Sequence, residues 1–168
     1  MAAGACGAEV FSGKCVGVSD GDTVSVMRDG QAVKVRLAAI DCPESKQDYG
    51  TKAKQFTSGL VFQRTVSVDE SGKDQYGRFI GTVTVNGTNV CCELVRNGLA
   101  WHYTRYSKDA TLARLEKEAR AAKVGVWSLP APIPPWEFRS ARKTAPPAEH
   151  RPHRNHVEEM RETGEKAK

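Results

Sequence analysis

Alternating apolar and polar residues on both sides of a turn restrict the fold of this chain more than any other sequence feature. In residues 33–37, valine or leucine occupies every second position, and Lys34 and Arg36 lie between them. The turn-forming pair Asp29-Gly30 precedes this run, and an earlier run containing Val24 and Val26 precedes the turn. Alternation of this kind is typical of a strand with one buried face, and Asp-Gly favours a tight hairpin turn. We therefore expect a β-hairpin here.

Alternation returns at Val66 and Val68 and again in residues 80–85, which are followed by the turn pair Asn86-Gly87. A second hairpin is expected there. Helical spacing separates and follows these strands, and it predicts helices over residues 51–62, 91–97 and 109–123.

The predicted order is strands, helix, strands, helix, helix, which is an α+β arrangement. An antiparallel sheet that curls into a five-stranded barrel has no exposed edges, so we expect a five-stranded β-barrel with about three packed α-helices.

The chain divides into four parts. We expect a flexible N-terminal segment over residues 1–13, one folded domain over 14–128, a proline-rich strap over 129–141 that runs extended along the surface, and a charged, disordered tail over 142–168. The strap contains four of the eight prolines, and the tail almost lacks large apolar residues, so the tail cannot bury enough surface to fold.

The net charge of +5 does not by itself indicate nucleic-acid binding. Residues 1–138 carry 17 basic and 15 acidic side chains, and residues 139–168 carry the remaining 8 and 5. No apolar run approaches the roughly 20 residues of a membrane span, so we expect no integral membrane contact. Any argument for nucleic acid must therefore rest on local groups.

The five cysteines leave the redox state open. Their spacing matches no zinc site, and Cys91 and Cys92 are adjacent. A disulfide such as Cys15–Cys42 or Cys15–Cys91 is one possibility, and small buried thiols are the other.

Acidic residues and one arginine fall at neighbouring strand ends. Asp22 follows a predicted strand in the sequence Asp-Gly-Asp-Thr, Arg36 lies in the next hairpin, and Asp41 and Glu44 come shortly after it. Carboxylates supply the hard oxygens that calcium prefers. Alone, Asp20 and Asp22 would sooner cap a turn. Arg36 could instead form a structural ion pair with a carboxylate, which is the less favoured role and is compatible with binding a phosphate.

A second group of residues is suited to holding a nucleic-acid chain. Arg78, like Arg36, carries a planar guanidinium that can bond two phosphate oxygens at once. Tyr76 lies two residues before it, and residues 101–106 combine aromatic faces with a basic side chain. Trp101, Trp127 and Trp136 are expected to be packing residues, and the four histidines are not expected to bind metal.

Five motifs occur in the order seen in staphylococcal-nuclease-like proteins, and together they span about residues 14–127. They are D-G-D-T, the strand of Arg36, D-C-P-E, D-x-Y-G-R and E-L-V-R-N-G-L-A. The chain resembles that family, which implies an OB-fold barrel and a calcium-dependent nuclease.

The resemblance also implies roles for individual residues. Asp22, Asp41 and the backbone carbonyl of Cys42 would hold Ca²⁺, with Thr23 as indirect support. The roles nearer the substrate fall to one carboxylate, two arginines and two tyrosines. Catalysis is assigned to Glu44 as general base or water-orienting group and to Arg36 and Arg78 on the scissile phosphate, and substrate binding to Tyr76 and Tyr106.

This sequence departs from the family pattern at three places. Cys42 stands where threonine is usual, Gln75 stands where lysine is common, and the loop over residues 45–50 is short. The last two changes remove positive charge, so we expect weaker substrate binding with a shallower salt dependence.

The sequence thus predicts an enzyme that hydrolyses DNA and RNA with low sequence specificity and leaves 3′-phosphate ends. The alternatives are a non-catalytic OB-fold module that binds nucleic acid, and a structural module whose acidic cluster only stabilises the barrel. We expect a monomer that is secreted or periplasmic, because a cell must keep such an enzyme away from its own nucleic acid. Residues 1–6 lack the charged and apolar regions of a signal peptide.

Overall fold

The computed structural model describes residues 9–144, and eight strands form its sheets. The strands are β1 (Glu9–Asp20), β2 (Thr23–Arg28), β3 (Gln31–Leu37), β4 (Ile40–Asp41), β5 (Thr65–Lys73), β6 (Phe79–Val85), β7 (Thr88–Asn89) and β8 (Trp101–His102). The helices are α1 (Gly50–Val61), α2 (Val90–Arg96), α3 (Ala110–Ala121) and α4 (Pro135–Thr144).

Five of these strands close into a barrel. Their order is β3-β2-β1-β5-β6, and β3 closes the barrel by pairing parallel with β6, with Arg36 opposite Ile80. The barrel and its packed helices confirm the predicted α+β OB-fold. The helices number four in the described part of the chain rather than about three.

Both predicted hairpins are present, with one difference. β2 and β3 pair across Asp29-Gly30 as expected, and both turn residues have positive φ. β5 and β6 also pair, but the loop that joins them is residues 74–78, whereas Asn86-Gly87 turns the chain into the two-residue strand β7. An Asn-Gly pair marks a tight turn and cannot tell how long the strand after it will be.

The first three helices lie within two residues of their predicted bounds. Asn89 caps α2 and Asp109 caps α3, each by accepting two backbone N–H groups on its side chain. Gly98, at φ +62°, ends α2 in the left-handed conformation that an L-residue rarely adopts. Such caps are readable in sequence, which is why these bounds are predictable.

The core lies inside the barrel and beneath α1, α2 and α3. Valine dominates it, because alternate residues of each barrel strand point inward. Its fully buried members include Val24, Val26, Val35, Val66, Val68 and Val83. Cys15, Cys42 and Cys91 are buried free thiols and Cys92 is a half-buried one, so none of these four forms a disulfide.

The C-terminal strap differs from its prediction. Residues 129–134 carry no regular structure, but α4 begins at Pro135 where an extended run was expected. Proline is well suited to the first helical position, because its fixed φ fits a helix and no hydrogen bond is lost there. The tail beyond residue 144, the three histidines within it, and residues 1–8 of the N-terminal segment with Cys6 lie outside the described residues.

The first residues of the predicted flexible segment that the structure describes belong to a strand. β1 begins at Glu9 and pairs with β5 from there onward. No described helix is long and apolar enough to cross a membrane.

Candidate active site

Asp22 lies at the tight turn between β1 and β2, against α1. The site has no room for a side chain at Gly21, where a Cβ would lie 2.8 Å from the Cβ atoms of Ala53 and Cys42. Thr57 of α1 donates its hydroxyl to the Gly21 carbonyl at 2.6 Å. Asp20 accepts the backbone N–H of Asp22 at 3.2 Å and so caps this turn, which leaves the Asp22 side chain to face the cluster.

Asp41 ends the short strand β4, which pairs with β8 so that Asp41 lies opposite Trp101. The side chain of Asp41 is 1% exposed. The next residue, Cys42, donates its backbone N–H to Asp22 Oδ2 at 2.8 Å. This bond ties the turn before β2 to the end of β4, so the two aspartates come together although nineteen positions separate them in the chain.

Arg36 joins the two aspartates. Its Nη1 lies 2.8 Å from Asp22 Oδ2, and its Nη2 lies 2.9 Å from Asp41 Oδ1. The residue projects from β3, where it pairs with Thr23 of β2. The structural ion pair considered from sequence is therefore present, and it consists of one guanidinium and two carboxylates.

Glu44 lies farther out than the aspartates, with 37% of its side chain exposed. The loop that follows it is compact: Gln47 and Gly50 fold back onto it, and a Cβ at Gly50 would lie 1.9 Å from the Glu44 carbonyl oxygen. Gln47 accepts the backbone N–H of Glu44 on its side chain at 3.1 Å. The short loop thus fixes the backbone of Glu44 beside the buried aspartates.

Arg78 reaches the same cluster from the loop between β5 and β6. Its Nη1 donates to Thr23 Oγ1 at 3.3 Å, and Thr23 Oγ1 in turn donates to Asp22 Oδ1 at 3.3 Å. Asp74 holds the arginine in place through Nε at 2.7 Å. Thr23 is therefore in contact with both a candidate metal ligand and a candidate phosphate clamp.

The two tyrosines assigned to substrate binding are both open to solvent. Tyr76 is 75% exposed and Tyr106 is 72% exposed. The guanidinium of Arg78 lies 5.6 Å from the ring centre of Tyr76. Tyr106 packs edge-on against Tyr103 at 4.9 Å between ring centres. An exposed aromatic ring at such a position has a face available to a base or sugar.

Trp101 and Trp127 are packing residues, as predicted. Their rings meet edge-to-face at 5.1 Å, and Arg120 lies over Trp127. Trp136 packs as well, with its ring stacked on Tyr103 at 5.2 Å between ring centres and an interplanar angle of 4°. His102 is buried, and its Nε2 lies 3.1 Å from Ser107 Oγ, so it belongs to the packing around β8.

Arg139 of α4 also belongs to the cluster, although no sequence pattern pointed to it. Its Nη2 lies 2.8 Å from Asp41 Oδ2, and its Nη1 lies 2.8 Å from Glu44 Oε1. The hydrogen bonds that its guanidinium donates to Asp41 and Glu44 raise the pKa of that guanidinium. No motif marks Arg139, and 95 residues separate it from Glu44, so only the path of the C-terminal segment brings it here.

The side chains of the cluster suit a calcium ion only if a backbone carbonyl also serves as a ligand. Within residues 9–144, no three His, Cys, Asp or Glu side chains group so as to hold a metal by themselves. The donor set implied by the family resemblance has two carboxylates and the Cys42 carbonyl, all of them hard oxygens. Asp22 and Asp41 are adjacent and buried, so these residues fit the ion.

Electrostatics at Asp22 favour a cation. Burial raises the pKa of its carboxyl to about 7, although Arg36 acts in the opposite direction. Burial likewise raises the pKa of the neighbouring Cys42 thiol well above its ordinary value, which keeps that thiol protonated. A buried carboxylate gains stability from an added positive charge, because water no longer solvates it fully.

Comparison with known proteins gives a consistent result. The model of the family described as "Staphylococcal nuclease homologue" matches residues 34–129, which is more than half of the chain. The chain is 44% identical over 138 residues to Protein ParB of Escherichia coli, covering 76% of this chain and 78% of that protein.

Two further relatives carry names that refer to nucleases. A protein named micrococcal nuclease, from Shigella flexneri, is 40% identical over 146 residues, covering 80% of this chain and 84% of its own length. An uncharacterized endonuclease of Escherichia coli O157:H7 is 45% identical over 128 residues, covering 76% and 84%. The motifs, the barrel and these matches agree, and the chain belongs to the family of staphylococcal nuclease homologues.

Proposed function

We propose that this protein is a calcium-dependent nuclease that hydrolyses phosphodiester bonds of DNA and RNA with low sequence specificity and leaves 3′-phosphate ends. The observation that carries the proposal is the cluster at the barrel mouth. Asp22 and Asp41 are buried there and joined by Arg36, with the more exposed Glu44 beside them. Family membership and the names of the relatives support the nuclease activity.

In this proposal Asp22, Asp41 and the carbonyl of Cys42 hold the calcium ion, which would supply a Lewis acid next to the phosphate. Thr23 keeps Asp22 oriented through its hydroxyl. The short loop after β4 keeps Glu44 at the edge of the cluster, where water has access to its carboxylate.

Glu44 accepts a proton from, or orients, the water that attacks phosphorus. A positioned carboxylate of this kind contributes about 10²–10⁴-fold to a rate. Arg36 of β3 and Arg78 of the loop before β6 both reach the cluster and carry planar guanidiniums that can bond phosphate oxygens. They would stabilise the charge that develops on those oxygens in the transition state.

Substrate binding outside the cluster falls to exposed aromatic rings. Tyr76 extends from the loop that carries Arg78, and Tyr106 lies on the segment after β8. Neither ring is buried in the fold, so each can contact a nucleotide that adjoins the scissile phosphate. A monomeric state and a location outside the cytoplasm stay predictions.

The test is cleavage of plasmid DNA and of an RNA oligomer by the wild type and by Glu44→Gln, each with calcium and with a chelator. We expect the chelator to abolish cutting and Glu44→Gln to lower it by about 10²-fold or more. Glu118→Gln is the matched control, because Glu118 is an exposed partner of Arg114 on α3. It should cut like the wild type.

Mass spectrometry of the products checks the position of the phosphate. Absence of cutting under every metal would favour the nucleic-acid-binding module instead. Equal rates for Glu44→Gln and the wild type would leave a nuclease but overturn the role of Glu44.

A further inference from the structure

The C-terminal helix α4 lies over the candidate active site with two side chains directed into it. Trp136 and Arg139 are three residues apart, so they share one face of the helix. The ring of Trp136 stacks on Tyr103, and the guanidinium of Arg139 bonds Asp41 and Glu44. One face of α4 thus carries an aromatic ring, as a nucleic-acid base would provide, and a positive charge, as a metal ion would provide.

The bonds of Arg139 use the atoms that a calcium ion would need. Asp41 Oδ1 accepts from Arg36 at 2.9 Å and from Arg139 at 3.3 Å, and Asp41 Oδ2 accepts from Arg139 at 2.8 Å. Both oxygens of this buried carboxylate are therefore occupied by guanidinium groups. Glu44, the proposed partner of the attacking water, is bonded through Oε1 to the same guanidinium.

The charges of the cluster also indicate that Arg139 and a calcium ion would compete for it. Asp22, Asp41 and Glu44 carry three formal negative charges, and Arg36 supplies one positive charge. Arg139 adds a second positive charge that is bonded directly to Asp41 and Glu44, so these carboxylates attract calcium less strongly with Arg139 in place than without it.

Trp136 covers an aromatic ring of residues 101–106, the segment whose composition suits holding a nucleic-acid base. Tyr103 and Tyr106 form an edge-to-face pair at 4.9 Å, and the indole of Trp136 covers a face of Tyr103 in parallel at 5.2 Å. A nucleic-acid base that stacked on that face of Tyr103 would have to take the place of the indole.

The helix is attached in a way that permits opening. The strap before it is anchored by a hydrogen bond from Gln47 Nε2 to the Ile133 carbonyl, and Leu129 and Ile133 of the strap line a cavity of about 170 Å³ together with Phe138 of α4. Arg139 itself remains 41% exposed. Its bonds to the cluster can therefore break while the strap stays anchored.

We propose that α4 is an autoinhibitory cap, in which Arg139 competes with calcium for Asp41 and Glu44 and Trp136 competes with a nucleic-acid base for Tyr103. This inference rests on the proposed function for the identity of both ligands. Binding of calcium and substrate displaces the helix, and a shortage of calcium keeps the site closed. The apparent affinity for calcium is reduced by the fraction of molecules that are open.

The first test measures calcium binding alone, by isothermal titration calorimetry of the whole chain with calcium chloride and no nucleic acid. If about nine molecules in ten are closed, Arg139→Gln lowers the apparent dissociation constant about tenfold. Arg139→Lys keeps the charge but loses the two-pronged bond, so its constant should fall between those of Arg139→Gln and the wild type.

Arg142→Gln is the matched control. Arg142 lies on the same helix, and its guanidinium is 6.0 Å from the ring centre of Phe138. Its calcium affinity should equal that of the wild type, and circular dichroism verifies that each variant is folded. Equal affinity of wild type and Arg139→Gln, or weaker binding by the variant, would overturn the cap. Calcium that binds none of the proteins would instead overturn the proposed cofactor and, with it, the competition for Asp41.

The second test isolates the aromatic contact. Binding of a fluorescent oligothymidylate is measured by anisotropy in the presence of a chelator, so that neither cleavage nor metal competition contributes. Trp136→Ala should bind the oligomer several-fold more tightly than the wild type, whereas Arg142→Gln should bind within twofold of it. Unchanged or weaker binding by Trp136→Ala would overturn the competition for Tyr103.

Discussion

Arg36 and Arg139 bond the same carboxylate of Asp41 at nearly the same distance, yet they belong to different parts of the molecule. Arg36 projects from a barrel strand that is paired on both sides, and its side chain is 16% exposed. Arg139 projects from a terminal helix and is 41% exposed. The comparison teaches that the strength of an ion pair is set by what holds its partners and by their burial, and much less by its length.

Removal of Arg36, the arginine on the barrel strand, is expected to cause the largest loss of stability. Arg36 is the one cation within ion-pair distance of Asp22 in the described part of the chain, and it also pairs with Asp41. Arg36→Ala would leave the buried carboxylate of Asp22 without a cation, although Arg139 still pairs with Asp41, and losing the partner of a buried charge costs about 3–5 kcal/mol of unfolding free energy. Arg139→Ala should cost less than about 1 kcal/mol, because solvent screens that pair and Arg36 still compensates Asp41.

Urea denaturation of both variants measures the difference. Arg114→Ala, which removes an exposed pair on α3, provides a surface reference that should stay within about 0.5 kcal/mol of the wild type. Equal losses for Arg36→Ala and Arg139→Ala would show that α4 is as much a part of the fold as the barrel strand.

Substitution of Gly21 tests how tightly the backbone of the barrel is packed at the site. Gly21→Ala would place a Cβ 2.8 Å from side-chain atoms of Ala53 and Cys42. We expect a loss of about 1–3 kcal/mol from overpacking, and weaker calcium binding because the neighbouring Asp22 moves.

Gly59→Ala is the control for this substitution. Gly59 lies on the exposed side of α1, and its added Cβ would meet nothing within 4 Å. Alanine should stabilise the helix there by about 0.5–1 kcal/mol. Thermal or urea unfolding of the two variants therefore should give changes of opposite sign, and a neutral Gly21→Ala would mean that the turn before β2 is adaptable.

Tyr76 lies at the exposed edge of the site, and its substitution is expected to change stability the least. Since its side chain is largely in solvent, Tyr76→Ala should alter the unfolding free energy by no more than about 0.5 kcal/mol. If it binds a phosphate neighbouring the scissile one, KM rises a few-fold and kcat changes little, as expected for loss of about one hydrogen bond.

Tyr76→Phe separates the two ways in which this residue can bind. A KM like that of the alanine variant would assign the contact to the hydroxyl, and a KM like that of the wild type would assign it to the ring. A large loss of stability in either variant would contradict the exposed position of Tyr76.

Much of the fold was predictable because its signals are local. The alternation around Asp29-Gly30 and the cap residue Asp109 are short-range patterns that fix a hairpin and a helix start. The contacts of Arg36 with Asp22 and Asp41 followed from motif order, since all three lie on adjoining strand ends. The same local rules did not reveal that the strand after Asn86-Gly87 is only two residues long, because a turn signal does not give the length of its strands.

The C-terminal segment was not predictable to the same degree. Its prolines suggested an extended strap, whereas Pro135 begins α4. Trp136 was interpreted as a packing residue, and Arg139 received no role. Their positions depend on contacts with Tyr103 and with Asp41 that span 33 and 98 residues of the chain, and no local pattern encodes such distances.

By itself, the sequence determined the barrel, its first three helices and the family, because residue spacing and turn chemistry act over a few neighbouring positions. Only the tertiary structure decided which cations face the buried aspartates. The closure of β3 on β6 and the return of α4 across the barrel mouth bring together groups from distant parts of the chain. Burial then makes their charges interact more strongly than they would in water.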